Sequence, residues 1–506
     1  MLEPPSRLTD ARLLVALSVV LLAVHAQALL GGFVFDDVIL LRDSPLMHDL
    51  ALALRTCLGD FFGQAQGQPE GGYVRPIPHV LNALTFVVSG GSPLAFRVSN
   101  LAFHIVNVAL VLRLTRHLGG DDTTSRLAAV IFALHPVQVE AVDFISARTD
   151  LLATAFALLS LEAVLRRQAR PLIAVVYLVL AVGSKESALV VPGLAVIGLW
   201  ALRTPFGAVR RRVVGLFVVV GLVVCARLVF SPPATPRLFF QSDDLLTAVP
   251  TLLGQAVSRV VFPAPGRVFY DDLPVSEFGP LTLLGVVVLG ALAVALALAV
   301  RLARRGPVLI GGLLAAASVL PVLHLVPLPV LAADRFLYLP MFGVALSLAA
   351  ASLAFEARAP RATRLVLVTL GVVFVLSTYT RSKDWASEEA LWSTELNAAP
   401  NNAKAALNLG IAYVEGGRLD EGKAAMLHAW TVNPGDVRVL RNLVSLAELE
   451  GRSLGRSLPA AFVEAARQRP PEVETLRAQV GELRASGFGW LAVVIERWPE
   501  ADGQLP

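Results

Sequence analysis

The segment GPLTLLGVVVLGALAVALALAV, residues 279–300, contains no charged residue. A bilayer's hydrocarbon core, about 30 Å thick, needs about 20 apolar residues at 1.5 Å each. This segment therefore fits a membrane-spanning helix. Comparable apolar runs recur from residue 11 to residue 380 and then stop. Approximate spans are 11–30, 94–114, 126–140, 149–166, 171–184, 187–203, 213–230, 279–300, 307–324, 336–355 and 364–380. The expected fold class is all-α, a polytopic membrane bundle of about 11 transmembrane helices. The stretch DLLTAVPTLLGQAVSRVVF, 244–262, is interrupted by Pro250 and Arg259 and reads as an interfacial helix.

Composition agrees with a chain dissolved largely in lipid. Hydrophobic residues make up 55% and charged residues 16%, against roughly 25% charged in soluble domains. Residues 1–383 carry 31 Lys+Arg against 22 Asp+Glu, whereas residues 384–506 carry 12 against 17. A basic membrane part thus precedes an acidic tail. The basic residues sit in short arginine clusters between apolar runs, the pattern of cytoplasmic anchors, which excludes nucleic acid as a partner. Two cysteines, Cys57 and Cys225, supply no disulfide framework. Arg7 and Arg12 precede the run Leu13–Leu30, which has no small-x-small cleavage site and reads as an uncleaved signal anchor. Four lysines accompany 39 arginines, a bias that points to a GC-rich bacterial genome.

The clusters orient the bundle. With the N-terminus inside, Arg7/Arg12, Arg113/Arg116/Arg126, Arg166/Arg167/Arg170, Arg203/Arg210/Arg211/Arg212, Arg301/Arg304/Arg305 and Arg358/Arg361/Arg364 all face the cytoplasm. An odd number of spans then places the C-terminal tail outside, so the expected location is a bacterial inner membrane with extracytoplasmic repeats.

The tail changes character after Arg381. A 34-residue frame from Ala403 places Leu409, Gly410, Tyr413, Ala429 and Pro434 on tetratricopeptide signature positions, with Gly422 and Met426 at the small and large packing sites. Pro400 lies one period before Pro434. The expected domains are 1–383, a transmembrane domain, and 384–506, a short α-solenoid of repeats, clearest over 403–436. The solenoid serves either as a protein-binding platform or as a spacer.

Ionisable residues at membrane depth are costly and mark function. Under this topology Asp36/Asp37 in GGFVFDDVILL, Arg75 and His79 in YVRPIPH, and His135, Glu140, Arg148 and Asp150 in HPVQVEAVDFISARTD face outward. So do Lys185/Glu186 in GSKES and Arg335/Tyr338 in ADRFLYLP. Asn100, His104 and Asn107 share one helix face, a pattern that suits helix-to-helix hydrogen bonding. Each signal has a structural alternative. The Asp pair caps the next helix, His135-Pro136 ends one, and the Arg/Asp and Lys/Glu pairs anchor the interface. Their common side favours an anionic lipid head group with a proton acceptor beside it. No Walker loop and no HExxH spacing occurs, so neither nucleotide nor a divalent metal is indicated.

FDD at 35–37, YVRP at 73–76, HPVQVEAVDFISARTDLL at 135–152, SKES at 184–187, RFLYLP at 335–340 and RSKDWASEEALW at 381–392 occur in this order. The set resembles the transmembrane and tetratricopeptide-repeat (TMTC) O-mannosyltransferases, within the membrane glycosyltransferases of the C-type fold (GT-C). The resemblance implies transfer of a sugar, with mannose expected, from a polyprenyl-phosphate monosaccharide to a protein or glycan acceptor outside the cytoplasm. It implies Asp36 or Asp37 as the base and Arg75, Arg148, Lys185 and Arg335 as phosphate contacts. His79, His104, His135, Glu140, Asp150, Glu186 and Tyr338 would shape the pocket. The tail is shorter than the repeat arrays of animal members, so the acceptor can differ. Two other classes compete: a non-catalytic scaffold recruiting envelope partners through its repeats, and a transporter, whose polar residues would cluster at the midplane.

Overall fold

The computed structural model describes residues 7–60, 74–230, 244–262, 266–301, 306–325, 328, 330–449, 473–485 and 487–496. Tyr73 of YVRP, Arg304, Arg305 and the stretch 450–472, where a degenerate repeat is expected, lie outside the described residues. Every regular element among those described is helical. The chain divides into two compact units, Met1–Ala386 and Ser387–Pro506.

The first unit contains α1 (Arg7–Val24), α2 (Pro76–Ser89), α3 (Pro93–His117), α4 (Asp122–Leu134), α5 (Val139–Asp143), α6 (Arg148–Leu165) and α7 (Pro171–Val182). It continues with α8 (Val191–Ala201), α9 (Phe206–Phe230), α10 (Leu245–Val261), α11 (Pro280–Arg301), α12 (Pro307–Val319), α13 (Pro340–Glu356) and α14 (Pro360–Asp384). Seven of these helices begin with proline, whose fixed φ and missing N–H suit the first turn. The start of α4 is capped by Asp121, which accepts from the Thr124 N–H at 2.7 Å. Gly90, with φ +65°, closes α2 in the left-handed region.

Among the described residues three helices, α3, α11 and α14, are long and apolar enough to cross a membrane, or four if the bent pair Asp122–Leu134 and Pro136–Asp143 is one span. The chain is an integral membrane protein. The expected count was higher because several apolar runs form shorter helices. The runs 171–184 and 187–203 contain α7 and α8, of 12 and 11 residues, and at 1.5 Å per residue each reaches roughly half of the hydrocarbon core.

Small residues bring the helices together. A Cβ at Gly254 of α10 would lie 1.9 Å from Leu281 O, and one at Gly285 of α11 would lie 1.9 Å from Pro250 O. Only glycine permits this crossing, which the Thr251 and Thr282 hydroxyls join at 2.7 Å. The helix read as interfacial therefore has its middle, Ala248 and Pro250–Gly254, buried in the bundle. Gly311 and Gly343 bring α12 onto α13 in the same way. At the centre, α6 is buried nearly all round and packs with Phe132, Phe342 and Leu346. The arginines assigned to the cytoplasmic side also clamp helices. Arg116 and Arg126 share Asp10, and Arg113 and Arg166 converge on the buried Glu162.

The second unit contains α15 (Glu388–Ala398), α16 (Ala403–Glu415), α17 (Leu419–Val432) and α18 (Val437–Leu449). Ser387 and Asn402 cap α15 and α16 through side-chain oxygens. Gly417, with φ +78°, turns α16 into α17, and the two cross closely where a Cβ at Gly410 would lie 2.9 Å from Gly422 O. Met426, Ala429, Trp430, Leu440 and Leu443 fill the core beneath.

Candidate functional site

The segment after α1 is built for a tight approach. A Cβ on Gly31 would lie 2.4 Å from Ala386 O, and the Gly32 N–H donates to that same oxygen at 3.2 Å. Arg97, buried in α3, donates to the Ala28 and Gly32 carbonyls and holds the turn from behind. Phe35 follows with φ +56°, a left-handed conformation that costs an L-residue about 1–2 kcal/mol. The two aspartates that follow, consecutive on a helical turn, face different surroundings.

Asp37 turns inward and is fully buried. It accepts from Ser146 Oγ at 2.6 Å, Ser146 N at 2.8 Å and Ile145 N at 3.3 Å. Burial pushes its carboxyl up to about 7, against the Ser146 hydrogen bonds and the Arg97 charge, which favour the ionised form. Asp36 remains half-buried and lies within electrostatic reach of Arg335.

Arg335 begins a row of three ion pairs. Its backbone N–H donates to Glu140 Oε2 at 3.0 Å, and its guanidinium donates to Glu140 Oε1. Next, Lys185 Nζ donates to both oxygens of Asp150 at 2.6 and 2.7 Å. Last, Arg75 grips Glu186 with Nη2 at 2.7 Å and Nε at 3.2 Å. The pairs form one electrostatic unit, because Arg335 feels Asp150 and Lys185 feels both Arg335 and Arg75. Asp36, Arg75, Glu140, Asp150, Lys185, Glu186 and Arg335 are thus gathered from five separate sequence motifs.

Two clefts flank Phe336. One is lined by Asp150, Thr154, Lys185, Ser187, Ser318 and Phe336. The other is mostly apolar and is lined by Leu252, Ala256, Val319, Leu323 and Leu337, with Arg259 and Asp334 among its polar groups. Aromatic rings form a wall beside Asp36: Phe35 stacks on Phe144 at 5.6 Å, and Phe144 on Trp385 at 5.2 Å. The Arg335 guanidinium lies 5.7 Å from the Phe144 centroid.

The other candidates from the sequence lie elsewhere. Arg148 donates through Nε to Asn100 at 2.8 Å, through Nη1 to Asn82 at 2.9 Å and Thr85 at 3.1 Å, and through Nη2 to Phe96 O at 3.0 Å and to Ser99. Five acceptors meet its five N–H donors, which leaves none for a phosphate. The Asn/His face is a packing device, as expected. His104 Nε2 donates to Ala133 O at 3.2 Å and Nδ1 accepts from the Tyr338 hydroxyl at 2.7 Å, while Asn107 donates to Tyr338 Oη at 3.1 Å. His135 ends its helix, donating to Val260 O at 2.9 Å and accepting from the Val137 N–H. His79 Nε2 lies 3.3 Å from Thr56 Oγ1, and its backbone N–H donates to Arg75 O at 3.2 Å, one turn along the same helix.

Sequence reasoning passed over a further set. Arg259, counted as an interruption, pairs with Asp334 at 2.8 and 3.0 Å, and Tyr270 donates its hydroxyl to the same carboxylate at 2.8 Å. His25 meets Asp143 at 2.8 Å behind the Asp37 turn. The signal was available, since a charge inside an apolar run demands a partner; its identity was not. Among the described residues no group of three His, Cys, Asp or Glu could hold a metal ion.

No family model matches the chain. It is similar to protein O-mannosyl-transferase TMTC3 of Mus musculus, with 24% identity over 475 residues, covering 84% of this chain and 51% of that protein. It is also similar to protein O-mannosyl-transferase F38B6.6 of Caenorhabditis elegans, 24% identical over 452 residues, 83% of this chain and 62% of that one. With TMTC4 of Homo sapiens it shares 30% identity over 161 residues, 28% of this chain and 21% of that protein. The chain thus spans about half the length of the TMTC3 relative. Among solved structures it is similar to ArnT from Cupriavidus metallidurans bound to undecaprenyl phosphate, with TM-score 0.36, 13% identity and coverage of 84% of this chain and 76% of that one. The likeness to TMTC proteins read from the motifs holds over most of this chain.

Proposed function

We propose, from its likeness to protein O-mannosyl-transferases over most of its length, that this chain is a membrane glycosyltransferase. It moves a sugar, with mannose expected, from a polyprenyl-phosphate carrier to a hydroxyl of an extracytoplasmic acceptor. The observation that carries this reading is the half-buried Asp36 beside the Arg335–Glu140 pair, at the head of a row of ion pairs. About 11 spans, an inside N-terminus and an outward tail of tetratricopeptide repeats complete the proposal. They place the row at the outer face of a bacterial inner membrane.

The chemistry follows from the residues. A Ser/Thr hydroxyl is a weak nucleophile until a carboxylate takes its proton, and in this reading Asp36 takes it. The hydroxyl oxygen bonds to the anomeric carbon while the bond from that carbon to the phosphate oxygen breaks. The electron pair leaves with the phosphate, and this single displacement inverts the anomeric centre. Arg335, Lys185 and Arg75 stabilise the departing phosphate by trading Glu140, Asp150 and Glu186 for its oxygens. Arg148, with every donor engaged, serves as scaffold, and Asp37 positions its neighbour by anchoring the turn to Ser146.

The test is transfer by the purified chain in nanodiscs, using labelled polyprenyl-phosphate mannose and a Ser/Thr-rich acceptor peptide. Labelled peptide with inverted anomeric configuration is the expected product. Intact donor across a panel of sugars and acceptors, with envelope proteins still retained by the tail, would favour the scaffold.

A further inference from the structure

Beyond the row of ion pairs, the end of α14 carries a cation that opens the RSKDWASEEALW motif but was given no role from sequence. Arg381 is 6% exposed. One of its terminal nitrogens, Nη1, donates to Asp384 at 2.8 Å. Among the described residues its Nε and Nη2 have no hydrogen-bonding partner. These two nitrogens form the side-on edge of the guanidinium, whose parallel N–H bonds match two oxygens of a carboxylate or phosphate. Arg259 uses that same edge, Nε and Nη2, to grip Asp334 at 3.0 and 2.8 Å. Its counterpart on Arg381 has no such acceptor.

The surroundings are those of an anion site. Trp385 Nε1 and Ser382 Oγ, within one turn of Arg381, are likewise buried and unpartnered among the described residues. Besides Asp384, the carboxylates within electrostatic reach, Asp334 and Glu140, are engaged by Arg259, Tyr270 and Arg335. A Cβ at Gly266 would lie 2.7 Å from Arg381 Nε, so any other residue there would crowd this edge. Buried donors left unmatched are expensive, which favours a ligand that supplies several oxygens at once. Arg381 lies 5.6 Å from the Trp385 ring centroid, and Arg335 lies 5.7 Å from Phe144, the ring stacked on it. The two guanidinium groups therefore bracket the aromatic wall beside Asp36.

We infer that Arg381, with Trp385 Nε1, forms an anion-binding fork for a phosphate monoester at the aromatic wall of the Asp36 site. The inference deepens the donor reading above and rests on it only for the identity of the carrier. The experiment titrates the full-length chain in detergent by calorimetry with inorganic phosphate, with farnesyl phosphate as a short isoprenyl monophosphate, and with farnesol as the uncharged control. Arg381→Lys keeps the charge but loses the fork, and phosphate-ester binding should weaken about tenfold. Trp385→Phe keeps the ring but loses one donor, and the loss should be about threefold. Farnesol binding should not change in either. A loss for farnesyl phosphate alone assigns the fork to the lipid carrier, and a loss for both phosphates assigns it to the phosphate itself. Unchanged phosphate-ester binding in folded Arg381→Lys overturns the inference. If that variant does not fold, unchanged binding in both Trp385→Phe and Gly266→Ala does so. Arg381-dependent phosphate binding in a chain that transfers no sugar would refute the enzyme reading and leave the fork standing.

Discussion

Two networks of buried charge lie on either side of the Phe35 twist, and they are satisfied in opposite ways. Under Asp37, the Arg148 guanidinium is enclosed by neutral amides, hydroxyls and carbonyls that meet all its donors. Beside Asp36, Arg335, Lys185 and Arg75 each hold one carboxylate in a row of like pairs. A cation caged by neutral groups has nothing to exchange and serves as a strut. A cation paired with a carboxylate can trade that partner for a phosphate with little change in local charge. On the proposed function, this difference separates scaffold from site where sequence alone treats every such charge alike.

The largest expected effect falls on the caged side. Arg148→Ala removes the donors from three buried acceptors, on Asn82, Asn100 and Phe96, and from the half-buried Thr85 and Ser99 hydroxyls, and we expect a loss above about 4 kcal/mol, read as loss of the monodisperse protein in detergent and of its melting transition. A variant melting like the parent would return Arg148 to the ligand contacts. On the paired side, the double change Arg335→Gln/Glu140→Gln removes both charges and should leave stability nearly intact. Donor-lipid binding should weaken by about 1.5–3 kcal/mol, the range for a hydrogen bond to a charged group. Parental affinity would erase the distinction between the two networks.

A smaller effect comes from Asp37. Its carboxyl, raised from 3.8 to about 7 by burial, binds its proton more tightly folded than unfolded. The stability this contributes is complete below pH 3.8 and is lost as pH rises through about 7. Melting curves from pH 5 to 8 should therefore fall more steeply for the parent than for Asp37→Asn. A parent that gains on the variant with rising pH would show Ser146 and Arg97 holding Asp37 ionised. The smallest effect belongs to the tail. Deleting residues 400–506 should leave a folded membrane unit with partly reduced transfer to a protein acceptor, and unchanged transfer would make the tail a spacer.

How much of this was legible follows from what a bilayer penalises. Charges stand out against an apolar background, so Asp36, Glu140, Asp150, Lys185 and Arg335 could be picked out before any partner was known. Their pairings could not, because Glu140 and Arg335 are 195 residues apart and Arg75 and Glu186 are 111 apart. Arg259 and Arg381 were visible but were read as an interruption and a boundary, since a periodic pattern carries no sign of a partner on another helix. The aspartates were inseparable in sequence because what divides them is the surroundings each meets in the fold, Ser146 and Ile145 for Asp37 and Arg335 for Asp36. Helix lengths were less legible for a related reason: apolar runs mark burial, and a run such as 187–203 forms a helix, α8, shorter than the run itself.

The most direct test is sugar transfer by purified Asp36→Asn and Asp37→Asn, with donor binding and melting measured in parallel. Asn keeps the size and polarity but cannot accept the proton, so Asp36→Asn should lose about 10²–10⁴-fold in rate while binding donor and melting like the parent. Asp37→Asn should retain most of the rate and show its change in melting instead. Parental transfer by Asp36→Asn, or a collapse of transfer confined to Asp37→Asn with its fold intact, would contradict the assignment of the base.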